Sequence, residues 1–296
     1  MKCSQCKANA VITVIGKRFC AKHFSQMLEH KVQLTITKFK LASKDITVAC
    51  SGGKDSTGIL HILHKQGFKV QALAIDEGIK GYRDKTLNEL KKFCSRNKIP
   101  LKVVSFKAEF GFTLDQALQN EPNPCSVCGV LRRYLLNKYA TGTLATGHNL
   151  DDEAQSIVMN LFTSNSKVAA RLGPRTGIIS DAKFIPRIKP LYFCSEREMA
   201  AYAVINDFGI EFLECPYAGS SFRADVRDRL NELEASHPGT KLNIVNNFLK
   251  LKPKAGKAEA VSYCSKCGQP SEQQLCKACS FVAKVRNDRH RNTKGK

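Results

Sequence analysis

Nowhere in the 296 residues does an apolar run approach the ~18 to 20 residues of a membrane-spanning helix, and the chain opens on cysteines instead of a signal peptide's hydrophobic stretch. These absences exclude a bilayer-spanning helical protein, and a cytoplasmic location without membrane attachment is expected. Acidic residues are scarce as well: 26 Asp and Glu stand against 47 Lys and Arg, a net charge of +21. That surplus exceeds what solubility requires and suits a polyanionic partner held with steep salt dependence, although a basic chain can also be merely soluble. What the chain has in plenty is cysteine, thirteen in all. In a cytosolic protein so many thiols argue for metal or redox chemistry and against a disulfide framework.

The organising stretch is Ile46-Thr47-Val48-Ala49-Cys50-Ser51-Gly52-Gly53-Lys54-Asp55-Ser56. Its apolar and β-branched start fits a strand buried on both faces, and the paired glycines allow a backbone to approach an anion closely. Ile59, Leu60, Ile62 and Leu63 then recur at helical spacing, so a helix N-terminus points at the same place. A di- or triphosphate is the expected guest. The Walker frame GxxxxGK[ST] is missing, because Lys54 directly follows the glycines, and its magnesium geometry is therefore not assumed. An ordinary strand-to-helix turn is the plainer alternative, but Ser-Gly-Gly-Lys-Asp-Ser is a longer string than a turn needs. The string resembles the pyrophosphate loop of the adenylating ATP pyrophosphatases. That resemblance implies cleavage of ATP between its α and β phosphates.

Ten of the thirteen cysteines fall into three groups, leaving Cys50, Cys94 and Cys194 as expected core side chains. Cys3-x2-Cys6, thirteen residues, then Cys20-x2-His23 has the spacing that closes a tetrahedron around zinc. Cys264-x2-Cys267, eight residues, then Cys276-x2-Cys279 repeats the arrangement with four thiolates. Both sites leave no open position and are expected to be structural, supplying folding energy that so short a ring cannot bury for itself.

Between these ends the signals alternate: helix near 55–66, strand Val70 to Ile75, helix near 82–97, strand Leu101 to Phe106, strand Thr143 to Thr146. Alternation of this kind means right-handed crossovers and a doubly wound parallel sheet of the Rossmann-like α/β class, with ligands beyond the strand carboxyl ends. Pro124-Cys125-Ser126-Val127-Cys128-Gly129 opens a further helix carrying Arg132 and Arg133. A lone CxxC suits half a zinc site, a redox pair or part of an iron-sulfur ligand set. Gly147-His148-Asn149-Leu150-Asp151-Asp152-Glu153 is another strand end entering a helix. Its acids could hold magnesium or orient substrate, or could simply cap the helix. Phe212-Leu213-Glu214-Cys215-Pro216-Tyr217, in a strand-to-turn setting, supplies a third cysteine, with 86 residues between it and Cys128.

Together SGGKDS, PCSVCG, GHNLDDEA and ECPYA, flanked by zinc modules, resemble the tRNA 2-thiouridine synthetases of the TtuA and archaeal NcsA type over essentially the whole chain. The resemblance implies a 4Fe-4S cluster on Cys125, Cys128 and Cys215, a catalytic Asp152, and Arg132 where some members have lysine. That exchange keeps the charge but not the proton-transfer ability. It further implies ATP, accompanied by magnesium, held by Ala49, Ser51, Gly52, Gly53, Lys54, Asp55, Ser56, Gly147 and Asp152, with Ile75 meeting the adenine through its backbone. Three thiolates hold three irons and leave the fourth open to sulfide. The competing mechanism is a persulfide relay between Cys128 and Cys215, with Cys125 spare.

The implied partners are tRNA, a sulfide ion or a ubiquitin-like thiocarboxylate carrier, and a second copy of the chain. Two targets divide the family, wobble uridine 34 and the heat-protective 5-methyluridine 54. Abundant Asn, Gln and Cys with few acids is unlike a hyperthermophile chain, which favours position 34. A noncatalytic tRNA-binding scaffold would show eroded motifs, and an amide-forming ATP pyrophosphatase would not need the cysteine triad. The expected organisation is a zinc finger over 1–24, a linker helix over 25–44, the catalytic domain over 45–255, a zinc ribbon over 256–283 and a basic, disordered tail over 284–296. Arg223, Arg227, Arg229, Lys241 and Lys250 are expected to give a basic face beside Cys215, and Pro253 to Ala260 a flexible link.

Overall fold

The computed structural model describes residues 1–118, 124–164, 166–176, 183–218, 222–251 and 262–294. Two short strands, β1 (Ile12–Val14) and β2 (Lys17–Phe19), form an antiparallel hairpin, and helix α1 (Ala21–Lys38) follows it. The main body then runs β3 (Asp45–Ala49), α2 (Lys54–Lys65), β4 (Lys69–Asp76), α3 (Arg83–Arg96), β5 (Leu101–Ser105), α4 (Phe106–Phe110), α5 (Leu114–Ala117), α6 (Pro124–Tyr139), β6 (Thr143–Thr146) and α7 (Leu150–Phe162). It continues through α8 (Ser166–Ala169), β7 (Arg175–Thr176), β8 (Arg187–Ile188), α9 (Glu196–Ile205), α10 (Phe222–Ser236) and α11 (Thr240–Leu251), and α12 (Lys277–Lys294) closes the chain.

The main sheet has the order β5-β4-β3-β6-β8-β7, parallel except at the edge strand β7, which pairs antiparallel with β8. From β3 the chain builds outward through β4 and β5, then returns to place β6 on the other flank of β3. The reversal puts a topological switch point between β3 and β6, where open α/β sheets leave a crevice beyond their strand ends. The expected parallel sheet is therefore present, and the phosphate loop sits at its switch point.

Period-two alternation divides the core. Val70, Ala72 and Ala74 of β4 face one side with Ile46 and Val48 of β3, while Leu73 and Ile75 face the other. On the first side α1 contributes Phe24, Leu28, Val32 and Ile36, a one-turn stripe packed with α2, α3 and α9. That stripe corrects the linker-helix expectation. The helix starts at Ala21, inside the Cys20–His23 run, and is a core element, tied down by Lys31 Nζ to Glu198 at 2.7 Å and by the Tyr202 hydroxyl donating to Glu29 at 2.8 Å.

On the second side Leu131 and Leu135 of α6 meet Ala278, Val282 and Val285 of α12. This apolar triplet explains why the segment expected to be a disordered tail is helical through Lys294: its register begins among the last cysteines, where the Cys-x2-Cys spacing masks it in the sequence. Two further expectations differ. Phe212 to Glu214 forms no strand and pairs with nothing in the sheet, while the expected link Pro253 to Ala260 lies outside the described residues. No helix among the described residues is long and apolar enough to cross a membrane.

Candidate active site

The phosphate loop is held open by its own side chains. The Ser51 N–H donates to Ser56 Oγ at 3.1 Å, the Gly53 N–H to Ser51 Oγ at 3.4 Å, and Ser56 Oγ to the Gly53 carbonyl at 3.1 Å. Gly53 is the N-cap of α2 and makes no side-chain cap, so the first amides of that helix are left for a ligand. Gly52 has φ +83°, and a Cβ there would stand 2.3 Å from the Thr86 carbonyl oxygen. Both the backbone angle and the close approach demand glycine. Gly52→Ala is expected to lower the melting temperature, at a cost of about 1–3 kcal/mol, and to abolish the stabilising shift that ATP gives the parent in thermal unfolding. At the neighbouring strand end a Cβ on Gly147 would lie 2.8 Å from the Ser56 amide nitrogen, so β6 leads directly onto the loop.

Asn149 caps α7 and forms a capping box with Asp152. The Asp152 N–H donates to Asn149 Oδ1, and Asp152 Oδ2 accepts the Asn149 N–H, both at 3.1 Å. Asn149 Nδ2 also donates to Asp55 Oδ1 at 3.2 Å, which draws the acid of the loop toward Asp152. Burial, with the like charge of Asp152, outweighs Lys54 and Asn149 and raises the Asp55 carboxyl above its ordinary value. The Lys54 ammonium lies between Asp55 at 3.1 Å and Glu196 at 2.9 Å. Burial pulls its pKa down, but these two carboxylates win and raise it.

Of the three consecutive acids, Asp152 is the most exposed, with 32% of its side chain accessible. Asp151 is inside, accepting from Lys241 Nζ and from the Glu196 N–H at 2.7 Å. Glu153 is inside as well, paired with Lys189 at 2.6 Å. Lys241 is only 6% exposed, which corrects the expected basic face. Arg227 and Arg229 are also engaged, with Asp228 and Glu232. Arg223 reaches Asp152, donating to its Oδ1 at 2.9 Å and to Gln155 at 3.0 Å. Helix α10 turns its charges over several directions because Val226 and Leu230 must point inward.

Cys125 and Cys128 occupy the first turns of α6, three residues apart and so on one face. Tyr217 brings the distant third thiol to them. Its carbonyl accepts from Cys125 Sγ at 3.3 Å, its amide hydrogen-bonds the Cys215 sulfur, and its hydroxyl is moored to Asp115 at 2.8 Å. Cys128 lies close enough to Cys125, Cys215 and Arg132 to feel all three charges. Burial raises its thiol to about 11 despite Arg132, and burial likewise raises Cys215. Such thiols become good ligands and nucleophiles only with a cation to hold the thiolate.

Two residues that sequence reasoning missed join the halves of the site. Arg83 and Glu77, each 3% exposed, form a buried ion pair at 2.8 Å. Arg83 donates to the carbonyls of Ser51 in the phosphate loop and Ile75 at the end of β4, while Glu77 reaches across to Arg132 at 3.5 Å. Two donors of Arg83 take the Ile75 carbonyl, so the expected contact of that residue with the adenine would have to use another backbone group. Arg132 keeps 46% of its side chain open to the cleft. Burial lowers its pKa, but Cys128 and Glu77 outweigh that and raise it. Ser51, Arg83, Glu77 and Arg132 are thus linked in series, and the charge of Arg132 is felt at Cys128.

The terminal cysteine groups are tight. Cys3, Cys6, Cys20 and His23, and likewise Cys264, Cys267, Cys276 and Cys279, each place all four ligand atoms within 4.8 Å of one another. Sulfurs bound to one tetrahedral zinc at ~2.3 Å stand about 3.8 Å apart. Cys6 to Cys20 and Cys267 to Cys276 are both 3.8 Å, and the Nδ1 of His23 is 3.5 and 3.4 Å from Cys3 and Cys20. The triad is not among these tight sets. Thiols converging at wider spacing suit a polynuclear cluster better than one ion. As expected, Cys50, Cys94 and Cys194 are buried.

Residues 24–232 match the family model of the PP-loop domain. The tRNA-5-methyluridine(54) 2-sulfurtransferase of Pyrococcus horikoshii is 39% identical over 95% of this chain and 93% of its own. The tRNA 2-thiolation protein NcsA of Haloferax volcanii is 31% identical over 96% and 99%. Among solved structures, the U34-tRNA thiolase NcsA from Methanococcus maripaludis with its [4Fe-4S] cluster superimposes with a TM-score of 0.81 at 33% identity, covering 96% of each chain. With the loop, the switch-point crevice and the cysteine triad in place, the chain belongs to the PP-loop family of tRNA 2-thiolation sulfurtransferases.

Proposed function

We propose that the protein replaces the C2 oxygen of a tRNA uridine with sulfur at the expense of ATP. The observation that carries this reading is the junction of the phosphate loop with three converging thiols through Glu77, Arg83 and Arg132. The C2 oxygen attacks the α-phosphorus of ATP and pyrophosphate leaves. A sulfur nucleophile then adds to C2, and AMP departs carrying the original oxygen. The free amides at the start of α2 and the Lys54 ammonium hold the β and γ phosphates, and Lys54 exchanges Glu196 for them. Magnesium accompanying ATP would sit between Asp55 and Asp152, which Asn149 holds together. Asp152, fixed by its cap and by Arg223, orients the uridine.

Three thiolates suit a 4Fe-4S cluster, and Cys125, Cys128 and Cys215 would hold it, leaving one iron without a protein ligand as a place for sulfide. Arg132 cannot give up its proton at ordinary pH, so it serves as a fixed cation that draws the anionic sulfur source toward Cys128. Free sulfide or a ubiquitin-like thiocarboxylate would serve equally as that source. The working position is the cytoplasm, and the working form a homodimer.

The target is uridine 34, supported by a composition unlike that of hyperthermophile chains, although the Pyrococcus relative is named for position 54. Mass spectrometry of nuclease fragments of tRNA from a deletion strain tests both levels. Loss of the 2-thio group from the wobble position supports the reading, loss at 54 reassigns the target, and no lost thionucleoside refutes the function.

The terminal sites are proposed to hold zinc, on the tetrahedral spacings given above. Elemental analysis is expected to give two zinc per chain. Cys6→Ser is expected to give one and to open the first 20 residues to proteolysis, because two three-residue strands cannot hold that module alone.

A further inference from the structure

A second cavity, of about 490 Å³, is walled by α6, by β8 and by the C-terminal cysteine module. Arg133 and Arg187 both face it, together with Tyr134 and Phe184. Neither guanidinium has a hydrogen bond or an ion pair among the described residues. Burial lowers the pKa of each guanidinium. For Arg187 the next cause is the charge of Arg133 and no carboxylate opposes it, while Arg133 is lowered further by Arg132. Two half-sequestered like charges without a counter-ion are an unfavourable arrangement that a bound anion would relieve. The cavity's own acid, Glu272, is turned to Arg171 at 3.6 Å, and Lys277 adds another cation.

The walls are fixed. Asn137 donates to the Lys183 carbonyl at 3.0 Å and to Gln269, and accepts from the Ile185 N–H at 3.2 Å, so it joins α6, the strand approach and the cysteine module around the opening. Gly129 decides where Arg133 points. A Cβ on that glycine would lie 3.3 Å from Arg133 Nη1, so the guanidinium folds back along α6 over the residue that follows Cys128. Arg133 itself lies close enough to Cys128 to feel its charge.

We propose that Arg133 and Arg187 form a phosphate subsite for the tRNA backbone, seating one backbone phosphate between the cysteine module and α6. The proposal rests on the thiolation reading and adds to it the place where the RNA is gripped. Planar guanidinium forks match phosphate oxygens in pairs, and the two rings in the same cavity offer a stacking face to a base. The overall +21 supplies the long-range attraction, and these two side chains supply the docking point.

Fluorescence anisotropy with an unmodified tRNA transcript, titrated at several salt concentrations, tests this with Arg133→Gln, Arg187→Gln and the double variant. Each single variant is expected to bind about tenfold more weakly with a salt slope smaller by about 1, and the double variant by about 2. Because each change removes repulsion, the ligand-free melting temperatures should hold or rise. Arginines serving only to support the structure would lower them. Unchanged affinity and slope in the double variant overturn the proposal, as does weaker binding accompanied by a fall in melting temperature. Retained tRNA binding with lost turnover on a thiocarboxylated carrier, but not on free sulfide, also overturns it and assigns the cavity to the carrier's tail. If the parent protein binds no tRNA, the thiolation reading itself fails and takes this subsite with it.

Discussion

Cys125→Ser is expected to abolish thiolation while sparing tRNA binding and pyrophosphate release. Cys125 is exposed and bonds only the Tyr217 carbonyl, so its replacement leaves the fold intact. A cluster needs all three ligands, and the loss should exceed the ~100-fold cost of disturbing a mere supporting partner. A persulfide relay between Cys128 and Cys215 gives the opposite forecast, with activity close to that of the parent. Rates of 2-thiouridine formation on one tRNA, measured anaerobically for parent and variant, separate the two. Near-parental activity would end the three-thiol account.

Glu77→Leu is expected to be the most destabilising single change near the site. It leaves the Arg83 guanidinium buried without a counter-charge, a situation that costs about 3–5 kcal/mol. In a chain of this size that corresponds to a fall of about 10 °C in melting temperature. The double replacement Glu77→Leu with Arg83→Met removes both charges and should recover part of the loss. It should not recover catalysis, because the Ser51 carbonyl loses its donor and Arg132 loses its tether. Thermal unfolding of the two single variants and the double variant, with turnover beside it, reads both effects. Equal destabilisation without coupling would show that the pair does not act as a unit.

The extent to which this architecture could be read in advance follows from how local each signal is. The phosphate loop, the zinc-ligand spacings and the β-α alternation are written within a dozen or so residues each, and the parallel sheet at the switch point follows from them. The cysteine triad needed a second kind of inference, since Cys215 reaches Cys125 only through the turn at Tyr217. Arg83 and Glu77 were illegible for another reason. An arginine in the first turn of a charged helix looks solvated, and only its place on the buried stripe with Thr86, Leu87 and Leu90 would have marked it. Lys241 misled in the same way, because its partner Asp151 lies 90 residues away. Helix α12 is hidden in the sequence behind Cys276 and Cys279, whose spacing looks like the end of a module.

The central claim is that the uridine's own oxygen becomes the leaving group through ATP, next to sulfur held at the triad. A tRNA carrying 18O at C2 of the target uridine, turned over anaerobically with ATP and sulfide, tests it directly. The account predicts one 18O in the phosphate of AMP for each 2-thiouridine formed and none in pyrophosphate. Unlabelled AMP, or label appearing in phosphate released alongside ADP, would contradict it.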